Sequence, residues 1–219
     1  MNALHRCAPI LALALAMAAC SKPSGSEQSA SPSVAKDAKS SAEAPAPAAG
    51  KVYNIAVVPK GTANPYWKTV HAGAAKAETD LGVKIQWIGP ENEDDRVQQV
   101  QLVNSLVSKG VDAIVLEPLD DNAMVDPVKN AVEHKIPVVI IDSGLKSDAQ
   151  SSFVATDNRQ GGREGAKLLG AAMEGKGKAI LMRYNAGSDS TNQREEGFLE
   201  EMKKSFPNIE IVSDNQYAV

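Results

Sequence analysis

YNIAVVPKGTANPYWKTVHAGAAKAETDL, residues 53–81, is the stretch whose parsing decides the fold. Tyr53 to Val58 reads as a buried strand, and Pro59 to Ala63 as a loop. Asn64-Pro65-Tyr66-Trp67 then opens an amphipathic helix over 65–81. Trp67, Val70, Ala74, Ala77 and Leu81 recur at spacings of three and four, which places them on one helical face. Asn64 is a good N-cap and Pro65 suits the first helical position, so the turn into the helix is sharply defined. In an open parallel sheet the loop after such a strand opens into the crevice where ligands bind. Two aromatic rings and an amide stand at that mouth.

Outward from this unit the alternation continues. Strands are expected over Val83-Ile88, Ala113-Leu116, Pro137-Asp142, Ser152-Ala155, Lys178-Met182 and Glu210-Val212. Helices are expected over Asp94-Lys109, Asn122-His134, Arg159-Glu174 and Asn192-Phe206. Runs such as Ala113-Ile114-Val115-Leu116 and Val138-Val139-Ile140-Ile141 are continuously apolar, the pattern of strands covered on both faces. Gly82 and Gly110 fall where C-cap glycines belong, and the acidic pairs Asp94-Asp95 and Asp120-Asp121 fall at helix starts. Strand and helix in strict alternation predict a doubly wound α/β fold. Thr156 to Gln160 reads as a crossing between two α/β lobes, with Gly161-Gly162 permitting close backbone packing just beyond it. The second lobe has only about sixty residues, a marginal core, so the chain is expected to be a fragment of a longer protein.

At 219 residues and 43% apolar content the chain can bury one full core and part of another. A formal charge of -4 without a basic cluster argues against a nucleic-acid surface. No Gly-rich phosphate cradle follows a strand, no zinc pattern is present, and His71 and His134 stand isolated on helices, so no cofactor or metal is expected. Ser188-Asp189-Ser190-Thr191-Asn192 carries oxygen donors without calcium-loop spacing.

The N-terminus reads as a targeting segment. His5 and Arg6 precede the apolar run Ala8 to Ala19, which is too short to span a bilayer. Met17-Ala18-Ala19-Cys20 resembles the bacterial lipobox, with Met17 where Leu is preferred, and implies a signal peptide over 1–19 and lipidation of Cys20. Residues 20–50, rich in Ser, Ala, Pro and Lys, are expected to form a disordered tether reaching about 100 Å when fully extended.

Several stretches together resemble the type I periplasmic substrate-binding proteins of sugar ABC importers, the ribose- and xylose-binding class. They are Val57-Val58-Pro59-Lys60 leading to Asn64-Pro65-Tyr66-Trp67, Leu116-Glu117-Pro118-Leu119-Asp120, Pro137 to Ser143, Ala155-Thr156-Asp157-Asn158 with Gly161-Gly162, and Gln193 to Phe198. The resemblance runs from Val52 to Val219 and implies two Rossmann-like parallel-sheet lobes, an N-terminal one over 51–156 and an incomplete C-terminal one over 157–219. It further implies a monomeric, lipid-anchored envelope protein that clamps a sugar and delivers it to a membrane permease, with no covalent chemistry.

A sugar shows hydroxyls at its rim and C–H groups on its faces, so rings and polar side chains must both meet it. By the resemblance, Tyr66 and Trp67 pack on the sugar and Asn64 binds a hydroxyl; Trp67 can equally be the first core residue of its helix. Asp142 ends an apolar strand and would accept two hydroxyls, or else cap the following turn. As a ligand carboxylate it predicts that Asp142→Ala abolishes binding and leaves the apo melting point nearly unchanged. Ser143 stands where the ribose-binding pattern has an arginine. Glu117 either faces the cleft or brackets Pro118, and Lys60 either donates to a hydroxyl or pairs with Glu117. In the second lobe Arg183 ends a strand, Asn192 falls at a ligand arginine of the pattern, and Arg194 matches a second arginine that can instead stabilise its helix.

Two other functions use related frames. An exported Rossmann-type enzyme should show a nucleophile elbow, a phosphate loop or a paired acid and base, none of which is found, and a sugar-responsive regulator needs a DNA-binding headpiece in place of the export signal. A sensory binding protein would use the same cleft.

Overall fold

The structure, a computed structural model, describes residues 50–218. The signal segment, Cys20 and all but the last residue of the tether lie outside the described residues. Five parallel strands, β1 (Asn54–Val58), β2 (Lys84–Trp87), β3 (Ala113–Leu116), β4 (Val138–Ile141) and β5 (Ser152–Val154), form one sheet in the order β2-β1-β3-β4-β5. Register pairs Val58 with Leu116, Leu116 with Ile140 and Ile141 with Val154, so the strand ends line up along one edge. The order reverses between β1 and β3, and that reversal opens the crevice at this edge.

The helices between these strands start and stop where their termini are satisfied. In α1 (Pro65–Leu81) the Asn64 side chain accepts from the Tyr66 N–H at 3.0 Å, and Gly82 closes the helix at φ 64°. Asp95 caps α2 (Arg96–Lys109) by accepting from the Gln98 N–H at 2.8 Å, and Gly110 ends it. The third helix, α3 (Val125–Glu133), begins three residues later than expected. The Asp120 carboxylate accepts from the N–H groups of Asn122 and Ala123, which holds residues 121–124 as a turn instead of a first helical turn.

Right-handed crossovers place α1 on one face of the sheet and α2 with α3 on the other. The second face is sealed: Ala56, Val58, Ile114, Leu116, Val138 and Ile140 pack on Val103, Leu106, Val107, Val128 and Ala131. On the face toward α1, Val57 is buried as well. Val115, Val139 and Ile141 are half-buried, and of the α1 side chains only Trp67 is buried.

A second, two-stranded parallel sheet pairs β6 (Gly177–Arg183) with β7 (Ile209–Tyr217), accompanied by α4 (Asn158–Ala172) and α5 (Asp189–Ser205). Its core is small, Ala166, Met202 and Ile209 with the partly buried Leu169, Phe198, Phe206 and Ile211 around them. The strand β7 is three times the expected length because irregular pairing along β6 carries it on to Tyr217. The two helices approach at glycine. A Cβ on Gly162 would lie 1.9 Å from the Arg194 carbonyl oxygen, and one on Gly197 2.0 Å from that of Arg159.

Candidate functional site

Backbone geometry at the strand ends aims side chains into the crevice. After β1, Pro59 and Lys60 turn out of the sheet; after β4, Asp142 adopts a left-handed φ of 64°, a conformation Asp tolerates better than most residues. Gln99 of α2, itself fully buried, holds the loops at the switch point. Its amide donates to the carbonyls of Pro59 at 3.2 Å and Glu117 at 2.8 Å, and its oxygen accepts from the Leu119 N–H at 2.9 Å.

Between the strand ends and the second sheet unit lies a cavity of about 480 Å³. Lys60 crosses it. Its ammonium is 3.0 Å from Asp142 Oδ2 and donates to Ser188 Oγ at 3.2 Å and Ser190 Oγ at 3.1 Å, so it ties the first unit to the loop before α5. The sequence offered Glu117 as its partner; the structure gives it Asp142 instead, because the left-handed turn carries that carboxylate beside the ammonium. Ser143 is wholly buried and does not line the cavity, its hydroxyl accepting from the Ser190 N–H at 3.0 Å.

The aromatic pair divides its labour. Tyr66 is 54% exposed, while Trp67 is 3% exposed and meets it edge to face at 4.7 Å. Trp67 is thus both the one buried residue of its helix and part of the cavity wall. Burial, and then the Asp142 charge, push the Tyr66 hydroxyl above its ordinary value; that hydroxyl lies 3.4 Å from Asp142 Oδ1.

Glu93, which the sequence reasoning missed, organises this wall. Its Oε1 accepts from the Trp67 indole N–H at 2.8 Å and from the Asn64 amide at 2.9 Å, while Oε2 accepts from the Tyr184 hydroxyl of the second unit at 3.3 Å. Asn185 adds a bond from its amide to the Glu93 carbonyl at 3.0 Å. The signal available was position alone: Glu93 follows β2, and Tyr184-Asn185 follow β6, both at strand ends facing the crevice.

Three expected residues are not on the cavity wall besides Ser143. Arg183 points from β6 toward α5, where it donates to Glu195 Oε2 at 2.9 Å, because alternation along the strand gives the inward position to Tyr184. Asn192 lies off the face of α5 that presents Thr191, Arg194 and Glu195 to the cavity, a spacing of three and four. Glu117 is fully buried off the cavity wall, with no well-formed hydrogen bond to either carboxyl oxygen. Burial, reinforced by Asp142 and opposed by Lys60, pushes its pKa up to about 8, so it holds a proton at neutral pH. Lys60, Asn64, Tyr66, Trp67, Asp142 and Arg194 do converge on the cavity. Together with Glu93 they offer an aromatic surface for C–H groups, carboxylates that accept from hydroxyls, and cations that donate to them.

Residues 55–219 match the family model described as a periplasmic binding protein domain. The chain is 32% identical over 161 residues to the D-allose-binding periplasmic protein of Escherichia coli, covering 68% of this chain and 51% of that protein. It is 27% identical over 135 residues to the ribose import binding protein of Bacillus subtilis, covering 62% and 44% respectively. Among solved structures it resembles a carbohydrate transporter solute binding protein from Agrobacterium radiobacter in complex with D-arabinose, at 37% identity and a TM-score of 0.74, covering 76% of this chain and 58% of that one. A solute binding protein from Agrobacterium vitis with bound D-fucose follows at 36% identity and 0.69, covering 74% and 57%. The chain spans about half the length of the curated relatives it matches. With its parallel α/β sheets, a cavity at the strand ends and this match over 55–219, the chain belongs to the periplasmic binding protein domain family.

Proposed function

We propose that this protein is a solute-binding protein of the cell envelope that captures a sugar or a closely related polyhydroxyl compound for an ABC importer. The observation that carries the reading is the convergence of Tyr66 and Trp67 with Asp142, Lys60 and Glu93 around one cavity of about 480 Å³. Rings cover the C–H faces of a pyranose or furanose, and the charged groups meet its rim through charge-assisted bonds. The contacts Lys60 to Ser188, Lys60 to Ser190 and Tyr184 to Glu93 join the two sheet units across that cavity. A ligand touching both units favours their closure by its differential affinity for the closed form. The relatives named for ribose and allose, and the neighbour in complex with D-arabinose, support a ligand among the pentoses and hexoses. In this reading Lys60, Asn64, Tyr66, Trp67, Asp142 and Arg194 contact the sugar, and Cys20 bears the lipid that tethers a monomeric domain near its permease.

Calorimetric titration of the purified chain with D-ribose, D-allose, D-arabinose and D-fucose, with amino acids and purines as controls, tests the ligand class. Binding of at least one sugar and of no control is expected; binding of an amino acid or purine alone overturns the assignment. Metabolic labelling with radioactive palmitate tests the anchor, which predicts incorporation that Cys20→Ala abolishes.

A further inference from the structure

One carboxyl at the site is left unused by the sugar chemistry. Glu117 follows β3 at the point where the strand order reverses; it is wholly buried, and the one donor near its carboxyl is the Lys60 backbone N–H, in no well-formed hydrogen bond. A carboxylate with so little donation in such a place is strongly disfavoured, whereas the neutral acid is tolerated. The titratable and charged groups around it are Asp142 at the end of β4, Lys60 from the loop after β1, Glu93 from the loop after β2, and Tyr66 of α1. Of these only Lys60 is a cation, and its ammonium is already committed to Asp142 Oδ2 at 3.0 Å and to the hydroxyls of Ser188 and Ser190.

The Glu117 N–H donates to the Val58 carbonyl at 3.0 Å, which sets the end of β3 against the loop that carries Lys60, and Glu117 and Asp142 both feel the charge of that ammonium; in a buried site the competition between two carboxylates for one cation is poorly screened. We propose that Glu117 is the positioning residue for Lys60: carrying a proton, it leaves the ammonium to Asp142 and the two serines of the second unit; losing the proton to solvent, it draws the ammonium inward and slackens the cleft. Asp142 then loses its fixed partner, and the bridge from Lys60 to the loop before α5 loosens with it. Glu117 thereby acts through Lys60 without touching the ligand, and the closed cleft becomes a low-pH form of the protein.

The first arm of the test needs no ligand. The ¹⁵N resonance of the Lys60 ammonium, identified by its loss in Lys60→Arg, is followed from pH 6.5 to 9.5 in the wild-type chain and in Glu117→Gln. A titration step near pH 8 in the wild type, absent from the variant, is expected. A flat wild-type profile, or the same step in both proteins, overturns the proposal, and the wild-type curve decides even if the variant does not fold. The second arm rests on the sugar-binding reading: wild-type affinity for D-ribose or D-arabinose should weaken about tenfold between pH 7 and 9.5, with a flat profile in Glu117→Gln. Parallel weakening in both proteins overturns the proposal. If no sugar binds at any pH, the transport reading fails while the Lys60 titration still decides the role of Glu117.

Discussion

The indole N–H of Trp67 donates to Glu93 Oε1 at 2.8 Å, and through that bond a carboxylate from the loop after β2 fixes a ring at the start of α1. The same oxygen also accepts from Asn64, so one acceptor holds two residues of the cavity wall in place.

Trp67→Phe keeps most of the buried ring and deletes the donor. A hydrogen bond to a charged group contributes about 2 kcal/mol, so urea unfolding should show a loss of that order. Glu93→Gln keeps a carbonyl able to accept from the indole and should lose less. Equal losses in the two variants would mean that ring packing, not the bond, sets the cost.

Asp142 bears on stability as well as on the proposed binding. Lys60 is almost fully buried, and removing its carboxylate leaves the ammonium with only two serine hydroxyls. Asp142→Ala should therefore lower apo stability by about 2 kcal/mol, with roughly 1 kcal/mol more from forcing Ala into the left-handed conformation. This revises the expectation, drawn from the sequence, of an unchanged apo melting point. Asp142→Asn tolerates that conformation and should fall between the alanine variant and wild type in urea titrations, while both variants lose the calorimetric response to sugar.

Glu117 makes stability depend on pH. Its carboxyl titrates near 4.5 when unfolded and near 8 when folded, so the folded state binds more protons between those values. The burial penalty is absent below pH 4.5, grows as pH rises through the window, and is complete above pH 8. Wild-type stability should accordingly fall by about 4 kcal/mol between pH 5 and 8.5, and Glu117→Gln should remove most of that slope. Chemical unfolding of both proteins at the two pH values measures the difference; identical slopes would place the titration elsewhere.

How far the sequence carries can be judged residue by residue. The order of strands and helices was legible because apolar periodicity and capping residues such as Asn64, Asp95, Gly82 and Gly110 agree with each other, and local signals of that kind survive folding. Asn64, Tyr66 and Asp142 were legible as cavity residues because a strand end in an open parallel sheet has one direction to face. What escaped was partnership across the chain. Lys60 paired with Asp142 instead of Glu117, Glu93 gathered Asn64, Trp67 and Tyr184, and Arg183 turned to Glu195, all consequences of rotamers and of contacts distant in sequence.

The adjacent glycines of α4 offer a test in which neighbouring positions should give opposite signs. Gly161 and Gly162 look equivalent in sequence, yet a Cβ at Gly161 meets nothing within 4 Å while one at Gly162 would lie 1.9 Å from the Arg194 carbonyl oxygen. Gly161→Ala restricts the unfolded chain and favours the helix, so it should stabilise by about 0.5–1 kcal/mol. Gly162→Ala drives a methyl into backbone that cannot yield without separating α4 from α5, and should cost more than about 2 kcal/mol. Gly197→Ala, which meets the Arg159 carbonyl at 2.0 Å from the other side of the same crossing, should behave like Gly162→Ala. Because the core beneath these helices is small, the loss should appear as early melting of the second sheet unit, read by hydrogen exchange at the amides of β6 and β7. Amides of β1, β3 and β4 should keep their wild-type protection, and uniform loss across both sheets would show that the two units unfold as one.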